Sequence, residues 1–117
     1  MLFICYPKCS TCAKARAWLD ANGVEYEYRD IKLNNPKPEE LAKWYKESKL
    51  DIKKFFNTSG LLYKSLKLKD NLPNMTEDEK LALLASDGML VKRPLLISDD
   101  FVLVGFREKE WAEKLNK

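Results

Sequence analysis

The chain of 117 residues contains no histidine and only four glycines. Without histidine, catalytic triads in which an imidazole activates a serine or a cysteine are excluded. The glycines form neither a G-x-G-x-x-G sequence nor a P-loop, so the sequence indicates no cradle for nucleotide phosphates, and we expect no bound cofactor. The N-terminus has the features neither of a signal peptide nor of a transmembrane stretch, which leads us to expect a cytoplasmic protein without a membrane partner.

Two of the three cysteines, Cys9 and Cys12, form a C-x-x-C sequence between a predicted apolar strand over residues 1–6 and a predicted helix over 13–22. A thiolate at a helix N-terminus is stabilised by unpaired backbone N–H groups and by the positive end of the helix dipole, so its pKa can fall below the free value of about 8.5. We therefore predict that Cys9 is a nucleophile and that Cys12 is the resolving thiol.

The sequence leaves two other roles for these cysteines open, a structural zinc site and a place in the core. A structural zinc site needs four ligands, and without histidine only Cys5 could join Cys9 and Cys12, so the sulfur ligands fall short. The cysteines could also be inert parts of the core. For Cys5 this is the expected role, because it lies within the first apolar strand, where a small buried thiol packs well.

The order of predicted elements is that of a thioredoxin-like α/β fold with a mixed sheet. The strand over 1–6, the helix after it and an alternating strand over 24–29 form an N-terminal βαβ unit. A hairpin of strands over 93–97 and 101–104, followed by a helix over 108–115, forms a C-terminal ββα unit. At this length we expect one domain covering the whole chain.

An all-helical insertion is predicted between these two units, over about 36–88. Apolar residues recur at helical spacing over 39–49 and 61–68. Thr76 and Glu79 have the spacing of a capping box, which indicates the beginning of a further helix. We therefore expect this region to contain helices and turns, with the strands confined to the two flanking units.

Lysines concentrate in the insertion, since ten of them lie between Lys32 and Lys69 against four acidic residues. A solvated helical face is the ordinary explanation, and an acidic protein partner or nucleic acid is the alternative. Arginine, which is the better reader of bases, is absent from this stretch. We therefore expect no direct contact with nucleic acid.

Arg93 and Pro94 stand at the beginning of the first hairpin strand. Proline is tolerated at the start of a strand and can carry a cis peptide bond there, which the sequence alone leaves open. In a thioredoxin fold the residue before this proline faces the redox cysteines. Arg93 is then either half of an exposed Lys92–Arg93 pair, or a fixed charge that holds a thiolate or binds an oxyanion bidentately.

The chain resembles the ArsC/Spx family in four segments, which are residues 6–19 (YPKCSTCAKARAWL), 26–31 (YEYRDI), 92–94 (KRP) and 104–107 (VGFR). The resemblance implies a thioredoxin-like fold over nearly the whole length. The family comprises glutaredoxin-coupled arsenate reductases, Spx redox regulators that bind RNA polymerase, and small relatives of unassigned role. The resemblance therefore implies arsenate reduction or redox regulation as candidate functions.

Arsenate reduction is the first of these functions. In the reductases the cysteine at the position of Cys9 attacks arsenate, and the resemblance implies that Arg93 and Arg107 hold the oxyanion. Lys8, next to this cysteine, adds a positive charge that favours the thiolate, and we predict that it takes part in binding the anion. A further arginine of the reductase pattern is missing, since Ser-Gly-Leu-Leu occupies residues 59–62.

Cys12 favours a different reaction, because reductases of this type commonly lack a cysteine there. A thiol three residues after Cys9 captures the oxidised residue as an intramolecular disulfide, as in Spx-like proteins. We therefore favour a thiol–disulfide oxidoreductase whose electrons come from thioredoxin, or from glutathione and glutaredoxin. The longer C-terminal tail of Spx regulators is absent after Lys117, and a glycine that they use against RNA polymerase is replaced near residues 50–52. A regulator that binds RNA polymerase is therefore the least favoured hypothesis.

Overall fold

The mixed sheet contains four strands in the order β2-β1-β3-β4. They are β1 (Leu2–Cys5), β2 (Glu27–Asp30), β3 (Leu95–Ile97) and β4 (Val102–Val104). Strand β1 is parallel to β2 and antiparallel to β3, and β3 is antiparallel to β4. The computed structural model describes all 117 residues. The predicted α/β class with a mixed sheet is therefore confirmed.

The chain divides into two compact units. The first unit contains residues 1–30 and 93–117, and so holds the whole sheet together with helices α1 (Ser10–Ala21) and α6 (Glu108–Leu115). The second unit contains residues 31–92, which include the predicted insertion and extend beyond it at both ends. None of the helices is long and apolar enough to cross a membrane.

Helix α1 provides the crossover that a parallel pair of strands requires. Its buried side chains form one stripe, at spacings of three and four residues: Cys12, Ala15 and Leu19. After the last turn, Gly23 has a φ of 66°, which glycine adopts without steric cost. The backbone N–H of Val24 still donates to the carbonyl oxygen of Leu19 at 3.0 Å. The strand predicted from residue 24 begins only at Glu27, whose N–H donates to the carbonyl oxygen of Met1 at 2.8 Å.

Aromatic side chains fill the core of the first unit. Trp111 is fully buried, and its indole N–H donates to the carbonyl oxygen of Gly105 at 3.1 Å. Three rings meet that of Trp111 edge-on, with centroid distances of 4.9 Å for Phe106, 6.3 Å for Phe3 and 6.3 Å for Trp18. Such pairs contribute roughly 0.5–1.5 kcal/mol each beyond the burial of their surface. This core joins the two ends of the chain.

The second unit is built from short helices, which are α2 (Pro38–Ser48), α3 (Leu61–Ser65), α4 (Leu68–Asn71) and α5 (Glu77–Ser86), with 3₁₀ turns at Ile52–Phe55, Leu72–Asn74 and Gly88–Leu90. The predicted capping box at the start of α5 is confirmed. The backbone N–H of Thr76 donates to Oε1 of Glu79 at 2.8 Å, and the N–H of Glu79 donates to Oγ1 of Thr76 at 3.1 Å.

Two details of the insertion differ from the expectation. The helix predicted over 61–68 is divided, because Lys67 adopts a left-handed conformation with a φ of 53° between α3 and α4. In addition, one isolated antiparallel bridge joins Phe56 to Val91, and the N–H of Lys92 donates to the carbonyl oxygen of Phe55 at 2.7 Å. The insertion is therefore helical apart from this bridge.

Candidate redox site

Cys9 is the N-cap residue of α1. The turn through Pro7 and Lys8 is closed by a hydrogen bond from the N–H of Cys9 to the carbonyl oxygen of Tyr6 at 3.0 Å. The carbonyl oxygen of Cys9 then accepts from the N–H of Ala13 at 3.1 Å, which begins the hydrogen bonding of the helix. The half-buried Cys9 thiol therefore lies where the first N–H groups of the helix have no partner within it.

The pKa of Cys9 is lowered from the ordinary value of a cysteine thiol. Partial burial is the largest single influence and raises the pKa, because it penalises the charged form. It is outweighed by hydrogen bonds from the N–H and the thiol of Cys12 and from the N–H of Thr11, together with the charge of Arg93. This direction agrees with the expected stabilisation of a thiolate by the helix N-terminus.

Cys12 lies in the first turn of α1 and is only 1% exposed. The backbone N–H of Tyr6 donates to its Sγ at 3.3 Å, which holds the sulfur at the end of β1. The pKa of Cys12 is raised, first by its hydrogen bond to the Cys5 thiol and then by burial, while the N–H of Tyr6 acts in the opposite direction. Cys12 therefore keeps its proton and can donate it to a neighbouring thiolate. All three cysteines are free thiols.

Cys5 has surroundings that the sequence interpretation missed. It is buried, as expected of a core residue, with 2% of its surface exposed. However, its thiol hydrogen-bonds to Cys12 and to Tyr28. The Cys12 thiol is the largest influence and lowers the pKa of Cys5, burial opposes it, and Tyr28 and Arg16 lower it further, to about 7. Cys5 is thus an ionisable group at the site as well as a core side chain.

Two periodicities together predict this contact. Side chains alternate between the faces of a strand, so Phe3 and Cys5 share one face of β1. The buried stripe of α1 begins at Cys12, and these residues all belong to one buried cluster against which Cys9 packs. The end of the strand and the start of the stripe therefore meet. A comparison of the two patterns in the sequence could have placed Cys5 beside Cys12.

Arg93 is brought to the same site by the hairpin. Its side chain is half-buried, whereas that of Lys92 is exposed, and its guanidinium carbon lies 5.4 Å from the ring centre of Tyr6. Against the opposing influence of burial, the charge of Arg93 helps to lower the pKa of Cys9. Arg93 is therefore a fixed charge beside the cysteines rather than half of an exposed basic pair. Its peptide bond to the buried Pro94 is cis.

The other two predicted anion-binding residues are exposed. Lys8 lies in the turn before Cys9, and Arg107 is the N-cap residue of α6. The structure thus brings Cys9, Cys12 and Arg93 together, while a role in binding for Lys8 and Arg107 stays a prediction. No group of three or more cysteine, aspartate or glutamate side chains is arranged to hold a metal ion.

This arrangement is suited to thiol chemistry. Cys9 is the accessible and ionisable thiol, and Cys12 is a buried proton donor in contact with it. A thiol carries one proton, so Cys12 can donate to Cys9 or to Cys5, and not to both at once. The proton of Cys12 therefore decides which of its two neighbours is stabilised as a thiolate.

Comparisons with known proteins give consistent results. A model of the ArsC family matches residues 5–114. A crystal structure from Bacteroides fragilis, described as related to the ArsC family, has a TM-score of 0.94 and 58% identity, and the match covers 97% of this chain and 95% of that one. A crystal structure from Streptococcus mutans UA159, described as a possible arsenate reductase, has a TM-score of 0.89 and 46% identity over 99% and 97% of the two chains. Regulatory protein MgsR of Bacillus subtilis is 31% identical over all of this chain and 90% of its own length.

Proposed function

Because the chain belongs to the ArsC family, we propose that it is a thiol–disulfide oxidoreductase that uses Cys9 and Cys12. The observation that carries this proposal is the contact between a half-buried Cys9, whose pKa is lowered, and a buried Cys12 that keeps its proton. A lowered pKa raises the fraction of Cys9 that is thiolate, which is the form that attacks. Burial protects Cys12 from external reagents, so that it reacts with its neighbour.

The reaction begins when the Cys9 thiolate attacks one sulfur of a substrate disulfide. A bond forms between Cys9 and that sulfur, and the other substrate sulfur leaves as a thiolate. Cys12 then gives its proton to solvent and attacks Sγ of Cys9, and the second substrate sulfur leaves. The substrate has gained two electrons, and the protein holds a Cys9–Cys12 disulfide. Thioredoxin, or glutathione with glutaredoxin, returns the two electrons in a reducing compartment such as the cytoplasm.

One of the smaller influences on the pKa of Cys12 changes during these steps. In the reduced protein the pKa of Cys12 is raised by the Cys5 thiol, by burial and by the negative charges of Cys5 and Cys9. Formation of the mixed disulfide removes the charge of Cys9, so one of these influences disappears. Cys12 then loses its proton more readily, at the stage where its attack is required.

Controlled oxidation tests this proposal. A Cys5→Ala variant retains only the two proposed thiols, and treatment with oxidised glutathione should convert them to a disulfide with a mass lower by two hydrogens. We expect a potential of roughly −270 to −200 mV, the range of thioredoxin and the glutaredoxins. The same variant with Cys12→Ser added is the matched control and should stop at a glutathione adduct on Cys9. If both thiols stay reduced without that adduct, the mechanism is excluded.

Arsenate reduction is a second candidate, favoured by the fixed charge of Arg93 beside Cys9. A guanidinium can hold an oxyanion with two parallel hydrogen bonds while the thiolate attacks it. Arsenite production with thioredoxin, or with glutathione and glutaredoxin, is the measurement. Arg93→Ala should abolish turnover and spare disulfide formation, while Lys92→Ala, which removes an exposed neighbouring charge, should preserve both. Absence of turnover in the wild type with either donor would remove this candidate.

A redox-sensing regulator is a third candidate, favoured by the relative that is a regulatory protein, MgsR. The lysine excess between Lys32 and Lys69 could meet an acidic surface, and binding should then weaken as salt rises. RNA polymerase, the partner implied by the resemblance to Spx regulators, is the protein to test. Binding of the purified polymerase to the oxidised but not the reduced chain, lost in Cys9→Ser, is expected. Equal binding of both forms would contradict redox sensing.

A further inference from the structure

The Cys12 thiol contacts two other thiols. It can donate its single proton to Cys5 or to Cys9, one at a time, and the N–H of Tyr6 holds its Sγ at 3.3 Å. Cys5 and Cys12 belong to one buried cluster, and Cys9 packs against that cluster. In thiol–disulfide exchange, the sulfur under attack lies between the attacking sulfur and the leaving one. Because it contacts both of the others, Cys12 occupies that central position.

We propose that Cys5 is a third redox-active residue, which takes over the disulfide by attacking Cys12 within the oxidised Cys9–Cys12 pair. The inference rests on the proposed oxidoreductase function, because it needs that disulfide as its starting point. Sγ of Cys5, as a thiolate, forms a bond to Sγ of Cys12, the bond between Cys12 and Cys9 breaks, and Cys9 leaves as a thiolate. One thiolate is consumed and one is produced, so the step needs no external oxidant, reductant or proton.

Two groups still favour the Cys5 thiolate after Cys12 has been oxidised. The hydrogen bond from the Cys12 thiol, the largest influence that lowers the pKa of Cys5, is then lost, and burial and the charge of Asp30 act against the thiolate, but the hydrogen bond of Tyr28 and the charge of Arg16 remain in its favour. Burial and the hydrogen bond to Cys5 raise the pKa of Tyr28 to about 12, so its hydroxyl stays protonated and can donate. The guanidinium carbon of Arg16 lies 4.5 Å from the ring centre of Tyr28, which keeps a positive charge nearby.

Cys9 is also suited to leave. A thiol of low pKa leaves faster in disulfide exchange, and the pKa of Cys9 is lowered in spite of its burial, by the thiol and N–H of Cys12, the N–H of Thr11 and the charge of Arg93. Three of these influences, the two N–H groups and Arg93, persist after Cys12 is oxidised. The exchange therefore ends on a thiolate that two N–H groups and a guanidinium favour and that burial opposes.

The consequence is an oxidised protein whose accessible nucleophile is regenerated. The disulfide moves to Cys5 and Cys12, which are 2% and 1% exposed, while Cys9 is half-buried and open to reagents. The chain then stores two oxidising equivalents in its interior. A second substrate can form a covalent adduct with Cys9 before the first pair of electrons has been returned.

Trypsin separates the two disulfides. Cleavage after Lys8 and Lys14 releases peptide 1–8, which carries Cys5, and peptide 9–14, which carries the other two cysteines. A Cys9–Cys12 disulfide leaves these peptides separate, whereas a Cys5–Cys12 disulfide links them. Free thiols are blocked with N-ethylmaleimide at acid pH before digestion, and fragmentation of the linked pair then locates the maleimide.

The full chain is oxidised with one equivalent of diamide and sampled over time. We expect peptide 9–14 with an internal disulfide first, and then its replacement by the linked pair with maleimide on Cys9, at a rate independent of protein concentration. A peptide 9–14 that keeps its internal disulfide while Cys5 is labelled would overturn the proposal. A linked pair labelled on Cys12, or a rate that rises with protein concentration, would also overturn it.

Two variants separate this inference from the proposed function. Cys5→Ala should form the Cys9–Cys12 disulfide and stop there; if it fails to do so, the proposed function fails. Cys9→Ser should form the Cys5–Cys12 disulfide directly with diamide. If this variant is folded by circular dichroism and both remaining thiols are still labelled by maleimide after unfolding, the inference about Cys5 fails while the proposed function stands.

Tyr28→Phe tests the support of Cys5 as a positioning effect, because it removes the hydroxyl and little else. We expect the conversion to the linked pair to slow severalfold, while the appearance of the first disulfide keeps its rate. Tyr45→Phe is the control, since that hydroxyl faces Glu77 in the second unit. Equal conversion rates in the two variants would contradict the stabilised Cys5 thiolate on which the proposed attack depends.

Discussion

The two units of the chain differ in the kind of positive charge that they carry. The first has nine basic and nine acidic side chains and contains all four arginines and all three cysteines. The second has twelve lysines against nine acidic residues and no arginine. Lysines are flexible and strongly hydrated, whereas a guanidinium is planar, stacks on aromatic rings and keeps its charge at any pH near neutrality. The positive charges of fixed geometry thus accompany the thiols.

The arginines of the first unit illustrate this difference. Arg93 lies over the ring of Tyr6, and Arg16 lies over the ring of Tyr28 and donates to the hydroxyl of Tyr26 at 3.2 Å. Each of these stacked charges acts on a cysteine, Arg93 on Cys9 and Arg16 on Cys5, although burial opposes the lowered pKa of both thiols. The comparison indicates that the first unit places charges of fixed geometry beside its thiols and that the second carries flexible, hydrated lysines.

The largest expected effect is on the free energy of unfolding, and it should distinguish a buried residue of the first unit from an exposed residue of the second. Trp111→Ala removes the ring around which the core of the first unit packs, and we expect a loss of about 3–5 kcal/mol in the free energy of unfolding. Leu61→Ala in the second unit is the control, because this side chain is 86% exposed and its removal should change stability by no more than about 0.5 kcal/mol. Urea unfolding measures both, and similar losses would break the comparison.

The thiol chemistry should depend on arginine and not on neighbouring lysine. Arg93→Ala removes a charge that helps to lower the pKa of Cys9, with burial left as the opposing influence. The midpoint of iodoacetamide labelling of Cys9 against pH should therefore rise, and labelling at neutral pH should slow. Lys92→Ala should leave the midpoint unchanged. An equal rise in both variants would mean that net charge, rather than the position of the guanidinium, controls the thiolate.

The lowered pKa of Cys9 also predicts that the free energy of unfolding depends on pH. Because the pKa of Cys9 is lower in the folded chain than the ordinary value of a cysteine thiol, the folded protein releases this proton at a lower pH than the unfolded chain does. Under reducing conditions the wild type should gain stability relative to Cys9→Ser as the pH rises through the folded pKa, and the gain should be complete above the ordinary value of about 8.5. It should be lost as the pH falls through the folded pKa. A difference independent of pH would contradict the lowered pKa.

The sequence predicted the fold well because local signals and topology agree. Helix α6 has the predicted bounds of 108–115, and the Thr76–Glu79 capping box is present. The division of the helix over 61–68 was missed, since the left-handed conformation of Lys67 has no signal in a residue type that rarely adopts it. The bridge between Phe56 and Val91 joins residues far apart in the chain, and such a pairing has no local pattern.

The candidate site was only partly predictable for a related reason. Cys9 and Cys12 stand in one short motif, and Arg93 could be placed beside them because the residue before this proline faces the redox cysteines in a thioredoxin fold. Cys5 was assigned to the core because an apolar strand explains a buried cysteine without any further role. Its contacts with Cys12 and Tyr28 join three separate elements, so they depend on the packing of the unit.

A smaller effect should come from the exposed capping hydrogen bonds at the beginning of helix α5 in the second unit. Thr76→Ala removes the side chain that accepts from the N–H of Glu79 at 3.1 Å, and we expect a loss of about 1 kcal/mol in the free energy of unfolding. Thr58→Ala is the control, because Thr58 is exposed and lies outside the helices. Equal losses in the two variants would show that the capping box contributes nothing specific.

The smallest effect should come from the lysines themselves. The Nζ of Lys43 lies 3.9 Å from Oε1 of Glu47, with the two side chains 73% and 36% exposed. An exposed pair at this spacing contributes about 0.3–0.5 kcal/mol, and salt screens it. Lys43→Gln should therefore lower the free energy of unfolding by no more than that amount, and the loss should shrink as salt rises. A loss above about 1 kcal/mol would show that the lysines are structural, which would weaken the case for a basic surface available to an acidic partner.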